Sequence, residues 1–402
     1  MSQNFKIALF AAMVSIGGLP IYIHLPNFAA QNLGISFGAL ALIFAFIRIV
    51  DFVQDPFIGR FIDRNQNRLP RIVVMVSLLF AISIITVFTL ASDAWNVGLI
   101  VALLIVLFTC ASFMSILLYA FSGNFGKYDP VGHARLREMS ILIGVIIAAI
   151  LPFILQRFTV DTFAVFGLIA GVLIALVGWF TRDIWTGSVE KNAAINLQKL
   201  HQIGAQPLLM LQFLNTLPIA LTSTLFIFFV QDYLKLEAFS GLYLMLYFLG
   251  AALAMPIWSG LLKRFRTKHL LLSAMCASIL IFIWAAILPE GSLYAFGLIS
   301  ILSGMAIAGE LLILPMRFSL LLESNGLRMG QAYGIWSFIN KSALSIAAIG
   351  ALPLLALTDF EPGKSNSDVA LFGLVFAYAI LPCMLKCAAI FIAIKTPREL
   401  LP

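Results

Sequence analysis

Apolar residues along this chain come in long continuous runs that short polar segments separate. The runs are about 20 residues long, the length of a helix that crosses the roughly 30 Å hydrocarbon core of a bilayer. Strands of a membrane barrel would instead alternate apolar and polar residues over about 10 positions, and the sequence lacks such alternation. The pattern therefore predicts membrane-spanning α-helices, which satisfy their backbone hydrogen bonds within each segment.

The runs predict twelve spans in two groups of six. The spans lie near 7–30, 36–60, 72–91, 96–122, 136–156, 162–181, 207–231, 239–262, 269–288, 293–315, 331–355 and 369–394. The longest polar stretch, residues 182–206, falls between the groups. We therefore predict an N-terminal six-helix half at 1–181, a cytoplasmic linker at 182–206 and a C-terminal six-helix half at 207–402, related by pseudo-twofold symmetry.

Composition leads to the same class. Hydrophobic residues make up 62% of the chain, charged residues only 11%, and the mean hydropathy is +1.04. A soluble domain carries about 25% charged residues, so the bilayer must be the main solvent.

The first run is too long for a cleavable signal core. The four cysteines lie in apolar segments, which favours buried packing thiols.

Lysine and arginine orient the predicted spans. With both termini in the cytoplasm, all but six of the 25 basic residues lie at the cytoplasmic face, as the positive-inside rule requires. The other six are Arg157, Lys235 and Lys364 on the opposite side and Arg48, Lys341 and Lys386 within spans. The net charge of +7 is therefore a signal of topology, and it does not indicate nucleic-acid binding.

A weak internal repeat supports the two halves. Pro56 to Arg64 follows the second span, and Pro256 to Arg264 follows the eighth; each places Pro, then Gly, then basic residues before a short loop. Internal repeats with a binding site near the bilayer midplane are typical of secondary transporters.

The second span carries the densest set of charges. Arg48, Asp51 and Asp55 are spaced i, i+3 and i+7, so they share one helix face. Each buried charge costs at least about 2.5–3.5 kcal/mol, and such residues are functional candidates by default. Two carboxylates one turn apart repel each other until a cation binds, one is protonated, or Arg48 pairs with them. This pattern favours a coupling-ion site, and an Arg–Asp network that only locks helices together is the alternative.

Charges in other spans are candidates for a solute cavity. Arg137 is either a cavity arginine that pairs with the second span or an arginine at the cytoplasmic rim. Glu310, among the small residues of the tenth span, is either a site residue or a buried structural partner.

Lys341 lies ten residues into the eleventh span, approached by Tyr333, Trp336 and Asn340. A buried lysine needs a carboxylate or an anionic ligand. We expect Lys341 to face the cavity, with an ion pair that locks the two halves together as the alternative. Lys386 is expected to reach the membrane surface at the periphery.

The second span resembles the signature of the glycoside–pentoside–hexuronide:cation symporters, a branch of the major facilitator superfamily. The matching residues are Arg48-Ile-Val-Asp51-Phe-Val-Gln-Asp55-Pro56-Phe-Ile-Gly59, then Arg328-Met-Gly330 with Tyr333 and Lys341, and Arg137 with Gly144. The resemblance implies that Asp51 and Asp55 bind the cation, that Arg137 contacts substrate, and that Lys341 links the two sites.

The chain also departs from this pattern. The first span is uncharged from Met13 to Ile23, and the fourth has Thr109 and Ser112 but no aspartate. Ser112 stands roughly where relatives have an acid, so Thr109 and Ser112 complete the candidate coupling-ion site. The acidic pair that relatives carry before the eleventh span is missing. Fewer acids shift the predicted cavity toward positive charge, which favours an anionic or amphiphilic solute over a sugar.

The leading hypothesis is a proton- or sodium-coupled symporter that works by alternating access. A lipid, lysolipid or drug transporter of the same fold is the second hypothesis, and a non-transporting assembly factor or sensor is the third. We expect no enzyme, because the sequence has no nucleophile constellation, zinc spacing or phosphate loop. The expected partners are a small solute and the bilayer. We expect no nucleic-acid partner and no cofactor other than the coupling ion. The chain is expected to be a monomer in a bacterial inner membrane.

Overall fold

A computed structural model describes residues 2–16, 37–89, 97–121, 125, 129–186 and 197–402, and the structural statements below refer to those residues. They form helices and connecting turns, with no strand in these ranges. The principal helices are α1 (Gln3–Ile16), α2 (Phe37–Arg64), α3 (Leu69–Thr89), α4 (Val97–Ala120), α5 (Pro130–Leu155), α6 (Thr162–Phe180), α7 (Gln206–Tyr233), α8 (Ser240–Leu262), α9 (Thr267–Phe282), α10 (Leu293–Ser324), α11 (Met329–Ala356) and α12 (Asp368–Lys395).

Each of the twelve predicted spans overlaps one of these helices over the described residues. Nine of them, α3, α4 and α6 to α12, are long and apolar enough to cross a membrane. The other three are α1, which the structure describes over only 14 residues, and the charge-bearing α2 and α5. Residues 17–30 of the first predicted span lie outside the described residues. The prediction of an all-helical membrane fold is confirmed within these limits.

Local chemistry explains where several helices begin. The Asp129 carboxylate accepts the backbone N–H of Gly132 at 2.9 Å, and Pro130 occupies the first position of α5, where a missing N–H costs nothing. The Ser367 hydroxyl accepts the Ala370 N–H in the same way at the start of α12. Both α7 and α12 contain a π-helical turn, at Phe229–Tyr233 and Phe376–Ile380.

The chain divides into two compact units. The first contains residues 1–197 and 322–338, and the second contains 198–321 and 339–402. Helix α11 therefore begins in the first unit and ends in the second. The predicted division at 1–181, 182–206 and 207–402 stays a prediction.

Glycines allow close helix contacts in the first unit. A side chain at Gly144 of α5 would overlap Ser15 and the carbonyl of Ala12 in α1, and a side chain at Gly178 of α6 would overlap Ser77 of α3. Lipid is as apolar as leucine, so membrane helices associate largely through such close packing.

The start of the predicted linker is folded against the first unit. Trp185 is fully buried, and its ring lies 4.5 Å from that of Phe10 and 5.5 Å from that of Phe121. The Lys6 ammonium donates to the Asp183 carboxylate at 2.6 Å, and this hydrogen bond lowers the pKa of Asp183. Residues 187–196 lie outside the described residues.

The second unit has its own apolar core. Phe229 and Tyr378, one from each π-helical turn, stack with ring centroids 4.0 Å apart. A side chain at Gly250 of α8 would overlap the Ile301 carbonyl in α10, and one at Gly304 would overlap the Tyr247 carbonyl. Helices α8 and α10 are therefore packed backbone to backbone.

Candidate functional site

Asp51 of α2 and Ser112 of α4 form a direct buried contact. The Ser112 hydroxyl donates to Asp51 Oδ1 at 2.7 Å, and the two residues are only 6% and 4% exposed. A hydroxyl that donates to a carboxylate forms a charge-assisted hydrogen bond. Sequence reasoning placed both residues in the coupling-ion site, and the structure brings them together.

Gln54 extends this cluster by one helical turn. Its amide nitrogen lies 3.4 Å from Asp51 Oδ1, and its carbonyl oxygen accepts the Thr109 hydroxyl at 2.9 Å. Thr109, predicted as a site residue, therefore contacts the cluster through Gln54. Sequence reasoning missed Gln54, although an amide in an apolar span three residues after Asp51 was a usable signal.

Asp55 lies on the same face of α2 and has 0% exposure. The neighbouring helix α11 approaches so closely that a side chain at Gly334 would overlap the Asp55 carbonyl. Arg48 is half-buried one turn before Asp51. Asp51, Gln54, Thr109 and Ser112 thus form one hydrogen-bonded group of carboxylate, amide and hydroxyl oxygens between α2 and α4, and Asp55 is buried one helical turn after Asp51.

Asp63 joins the end of α2 to the start of α11. Its carboxylate accepts the backbone N–H of Gly330 at 2.9 Å and that of Gln331 at 2.8 Å. These N–H groups belong to the first turn of α11, where a carboxylate is favoured because the turn leaves donors unsatisfied and carries the positive end of the helix dipole. A side chain at Gly59 would overlap the Gly330 carbonyl, so two backbones meet directly at this crossing.

Arg137 of α5 is buried beside an acid of its own helix. Its Nε donates to Glu138 Oε1 at 2.9 Å, and its guanidinium carbon lies 4.1 Å from the centre of the Tyr119 ring. The Tyr119 hydroxyl donates to the same Glu138 oxygen at 3.1 Å. Arg137 is therefore an interior residue with a carboxylate and an aromatic ring around it.

Two further predicted cavity residues lie beside this group. The Tyr333 ring lies 5.5 Å from the Tyr119 ring, and the Trp336 ring lies 6.3 Å from that of Tyr333. Both side chains are buried. Arg137, Tyr333 and Trp336 are thus connected within the first unit through Tyr119, which sequence reasoning did not select.

Lys386 of α12 is buried, which contradicts the expectation that it reaches the membrane surface. Its ammonium donates to Glu310 Oε2 of α10 at 2.7 Å and to the side-chain oxygen Oδ1 of Asn215 in α7 at 2.6 Å. Glu310 Oε1 accepts the Ser278 hydroxyl of α9 at 3.1 Å. Because Glu310 offers a full counter-charge, burial of Lys386 is compensated. Glu310, predicted as a cavity residue, is placed in an ion pair that joins four helices.

Asn340 and Lys341 lie elsewhere in the second unit. Asn340 Oδ1 accepts the Gln212 amide at 2.8 Å and the Thr216 hydroxyl at 3.1 Å, and Lys341 is half-buried next to it. Gln212 and Thr216 flank Asn215 on α7, so one face of this helix contacts both Asn340 and the Lys386–Glu310 pair.

A dedicated metal cluster is absent from the described part of the chain, which has no group of three or more His, Cys, Asp or Glu residues in metal-binding positions. The donor set at Asp51 is a mixture of carboxylate, amide and hydroxyl oxygens. Hard cations prefer oxygen ligands of this kind.

The comparisons with known proteins agree with the fold. Residues 5–397 match the family described as MFS/sugar transport protein. The fold is similar to that of a variant of the Escherichia coli fucose:proton symporter FucP, with a TM-score of 0.66, 14% sequence identity and coverage of 98% of each chain. No functionally curated relative matches the sequence.

Proposed function

This chain belongs to the MFS/sugar transport protein family of the major facilitator superfamily, and we propose that it is a cation-coupled symporter. Membership of the family makes it an integral membrane transporter and not an enzyme. Its coupling ion binds at Asp51 and Asp55, with Gln54, Thr109 and Ser112 as neighbouring oxygen donors. The solute is a small polar molecule, moved by alternating access with both termini in the cytoplasm.

The observation that carries this proposal is the 2.7 Å bond from Ser112 to Asp51, one helical turn from the buried Asp55. A symporter needs a group whose charge depends on ion occupancy, because the ion must change the balance between two conformations. Two carboxylates in a low-dielectric site have this property: binding a cation or a proton relieves their repulsion. The hydroxyl and amide oxygens nearby would replace part of the hydration shell of a sodium ion.

The Asp63 contact supports alternating access. Its two hydrogen bonds to the first turn of α11 must break if α11 moves away from α2. In our proposal these bonds form in one conformation and are lost in the other, so Asp63 sets part of the energy difference between them.

The charges around the predicted cavity bear on the solute. The expectation of an anionic solute counted Arg48, Arg137 and Lys341 as cavity cations, and Glu138 lies 2.9 Å from Arg137. Because this buried arginine is matched by an acid, we favour an uncharged, hydroxyl-bearing solute, consistent with the description of the family, over an organic anion.

A thermal-unfolding screen of the detergent-solubilised protein tests this proposal. Sugars, uronates, organic anions and lysolipids are each measured with and without sodium at two pH values, because a ligand that binds the folded state raises its apparent stability. We expect an uncharged sugar or polyol to stabilise the protein, with the shift increased by sodium or by low pH. Stabilisation only by lysolipid, equal in all ionic conditions, would indicate a lipid transporter and overturn the proposal.

A further inference from the structure

Exposed basic residues cluster at the turn between α8 and α9. Lys263, Arg264 and Arg266 are all exposed there, and Phe265 between the arginines is 58% exposed. No acidic residue occurs in the sequence from 262 to 289. The turn therefore carries several positive charges beside an aromatic side chain that is more than half exposed, and the Thr267 N–H next to Arg266 donates to the Pro402 oxygen at 2.6 Å.

The end of α12 lies beside this turn. The Lys268 ammonium, in the first turn of α9, donates to the carbonyls of Ile394 at 2.7 Å and Thr396 at 2.8 Å. Lys268 thereby fixes the last turn of α12, and its charge is directed at that helix end. Lys395, between the two carbonyls, is exposed, and its ammonium lies 4.1 Å from the centre of the Phe391 ring.

An apolar stripe leads along α12 to these charges. Met384, Cys387, Phe391 and Ile394 are all exposed and are spaced three or four residues apart, so they share one helix face. On a membrane helix such a face contacts acyl chains. The stripe ends at Ile394. The next residue, Lys395, lies at the end of α12, beside the basic turn.

We propose that the α8–α9 turn and the end of α12 form a binding site for an anionic phospholipid. The headgroup phosphate binds Arg264, Arg266 and Lys395, and the acyl chains lie along the stripe that ends at Ile394. Guanidinium groups match phosphate geometry with paired N–H donors, and basic groups at a membrane rim attract anionic headgroups. The apolar stripe is the reason to choose a lipid over free phosphate. This proposal is independent of the transport coupling proposed above.

The first unit offers a matched comparison. Its counterpart in the sequence repeat, the end of α2 and the start of α3, exposes Arg60, Arg64 and Arg71. That region also contains the acid Asp63 in the last turn of α2, whereas residues 262–289 contain none and the nearest acid after α12 is the exposed Glu399. A general attraction of rim arginines for lipid would act at both places, and a specific site would act only at the α8–α9 turn.

Lipid binding to the purified full-length chain tests the proposal. Dioleoylphosphatidylglycerol is titrated into the detergent-solubilised protein, and bound lipid is counted by native mass spectrometry while the unfolding temperature is followed. Dioleoylphosphatidylcholine and inorganic phosphate are the comparison ligands. Each basic residue near a lipid surface is worth about 1 kcal/mol, so the triple variant Arg264→Gln, Arg266→Gln, Lys395→Gln should bind phosphatidylglycerol at least tenfold more weakly. The triple variant Arg60→Gln, Arg64→Gln, Arg71→Gln should change binding less than twofold.

Three results would overturn the proposal: equal losses in both triple variants, equal binding of the two lipids to wild type, or displacement of the lipid by inorganic phosphate at similar concentrations.

Phe391→Ser, which keeps every charge, supplies a second variant if the first triple variant does not fold. It should weaken phosphatidylglycerol binding without changing the affinity for inorganic phosphate, and unchanged lipid binding in this variant would remove the stripe from the site.

Discussion

Ser112 donates a hydrogen bond to Asp51 across 2.7 Å, joining α4 to α2 at a buried point. Ser112 stands roughly where the symporters that the second span resembles carry an acid in the fourth span, and here it contacts a carboxylate of the second span. A serine there keeps an oxygen beside Asp51 while it removes one negative charge. The candidate site therefore differs in charge from the pattern it resembles but retains carboxylate, amide and hydroxyl oxygens.

Ser112→Ala should weaken cation binding. A hydrogen bond to a charged group contributes about 1.5–3 kcal/mol, so we expect roughly a tenfold rise in the cation concentration needed for half-maximal thermal stabilisation. Ser115→Ala is the matched control, because Ser115 lies one turn away on α4 and is only half-buried. Equal effects of the two substitutions would remove Ser112 from the site.

Lys386→Met should strongly destabilise the protein. Removal of one partner of a buried ion pair leaves the other charged and desolvated, at a cost of about 3–5 kcal/mol, whereas replacement of both by apolar residues is often neutral. The double variant Lys386→Met, Glu310→Leu should therefore recover most of the unfolding temperature. The exposed Lys364–Glu361 pair provides the control, since Lys364→Met should have no measurable effect. A stable Lys386→Met single variant would contradict this account of the pair.

Gly334→Ala should lower the unfolding temperature, because the added methyl group would overlap the Asp55 carbonyl and force α2 and α11 apart. Gly350→Ala, on the same helix, has open space around the new methyl group and should be neutral or slightly stabilising. Equal unfolding temperatures for the two variants would show that the close approach at Gly334 does not matter for stability.

The spans, and the contact between Asp51 and Ser112 within the candidate coupling-ion site, were predictable from the sequence. A span must be apolar to cross the bilayer, so hydropathy along the chain shows where the spans lie. Charges within these apolar spans point to Asp51 and Asp55 as candidate site residues. Ser112 could be chosen because the resemblance fixed its position relative to Arg137.

The environment of Lys386 was not predictable in the same way. In a soluble helix, polar residues mark the outer face, but in a membrane both the core and the lipid side are apolar. Residues Met384, Leu385 and Cys387 around Lys386 therefore gave no sign of which way it points. Its partner Glu310 is 76 residues away in sequence, so only the fold brings the two together.

Arg137 shows a related limit. The sequence places Glu138 next to it, yet neighbours on a helix point in different directions and do not normally pair. Here Tyr119 lies over the guanidinium and also donates to Glu138, so three side chains form one buried group. The expectation of a net positive cavity arose from the missing acids, and spacing alone could not show that this group matches the charge of Arg137.

The most direct measurement of the central claim is gradient-driven uptake into proteoliposomes, with the solute that the thermal screen identifies. Wild type is measured under a sodium gradient, a proton gradient, both, and neither. The variant Asp55→Asn is measured in the same way. Asp161→Asn is the control, because the Asp161 carboxylate is exposed and makes no capping hydrogen bond. We predict that one of the two gradients accelerates uptake at least tenfold in wild type and in Asp161→Asn, and that Asp55→Asn loses this response. Uptake that ignores both gradients in wild type, or a full gradient response in Asp55→Asn, would contradict the assignment of Asp51 and Asp55 as the coupling-ion site.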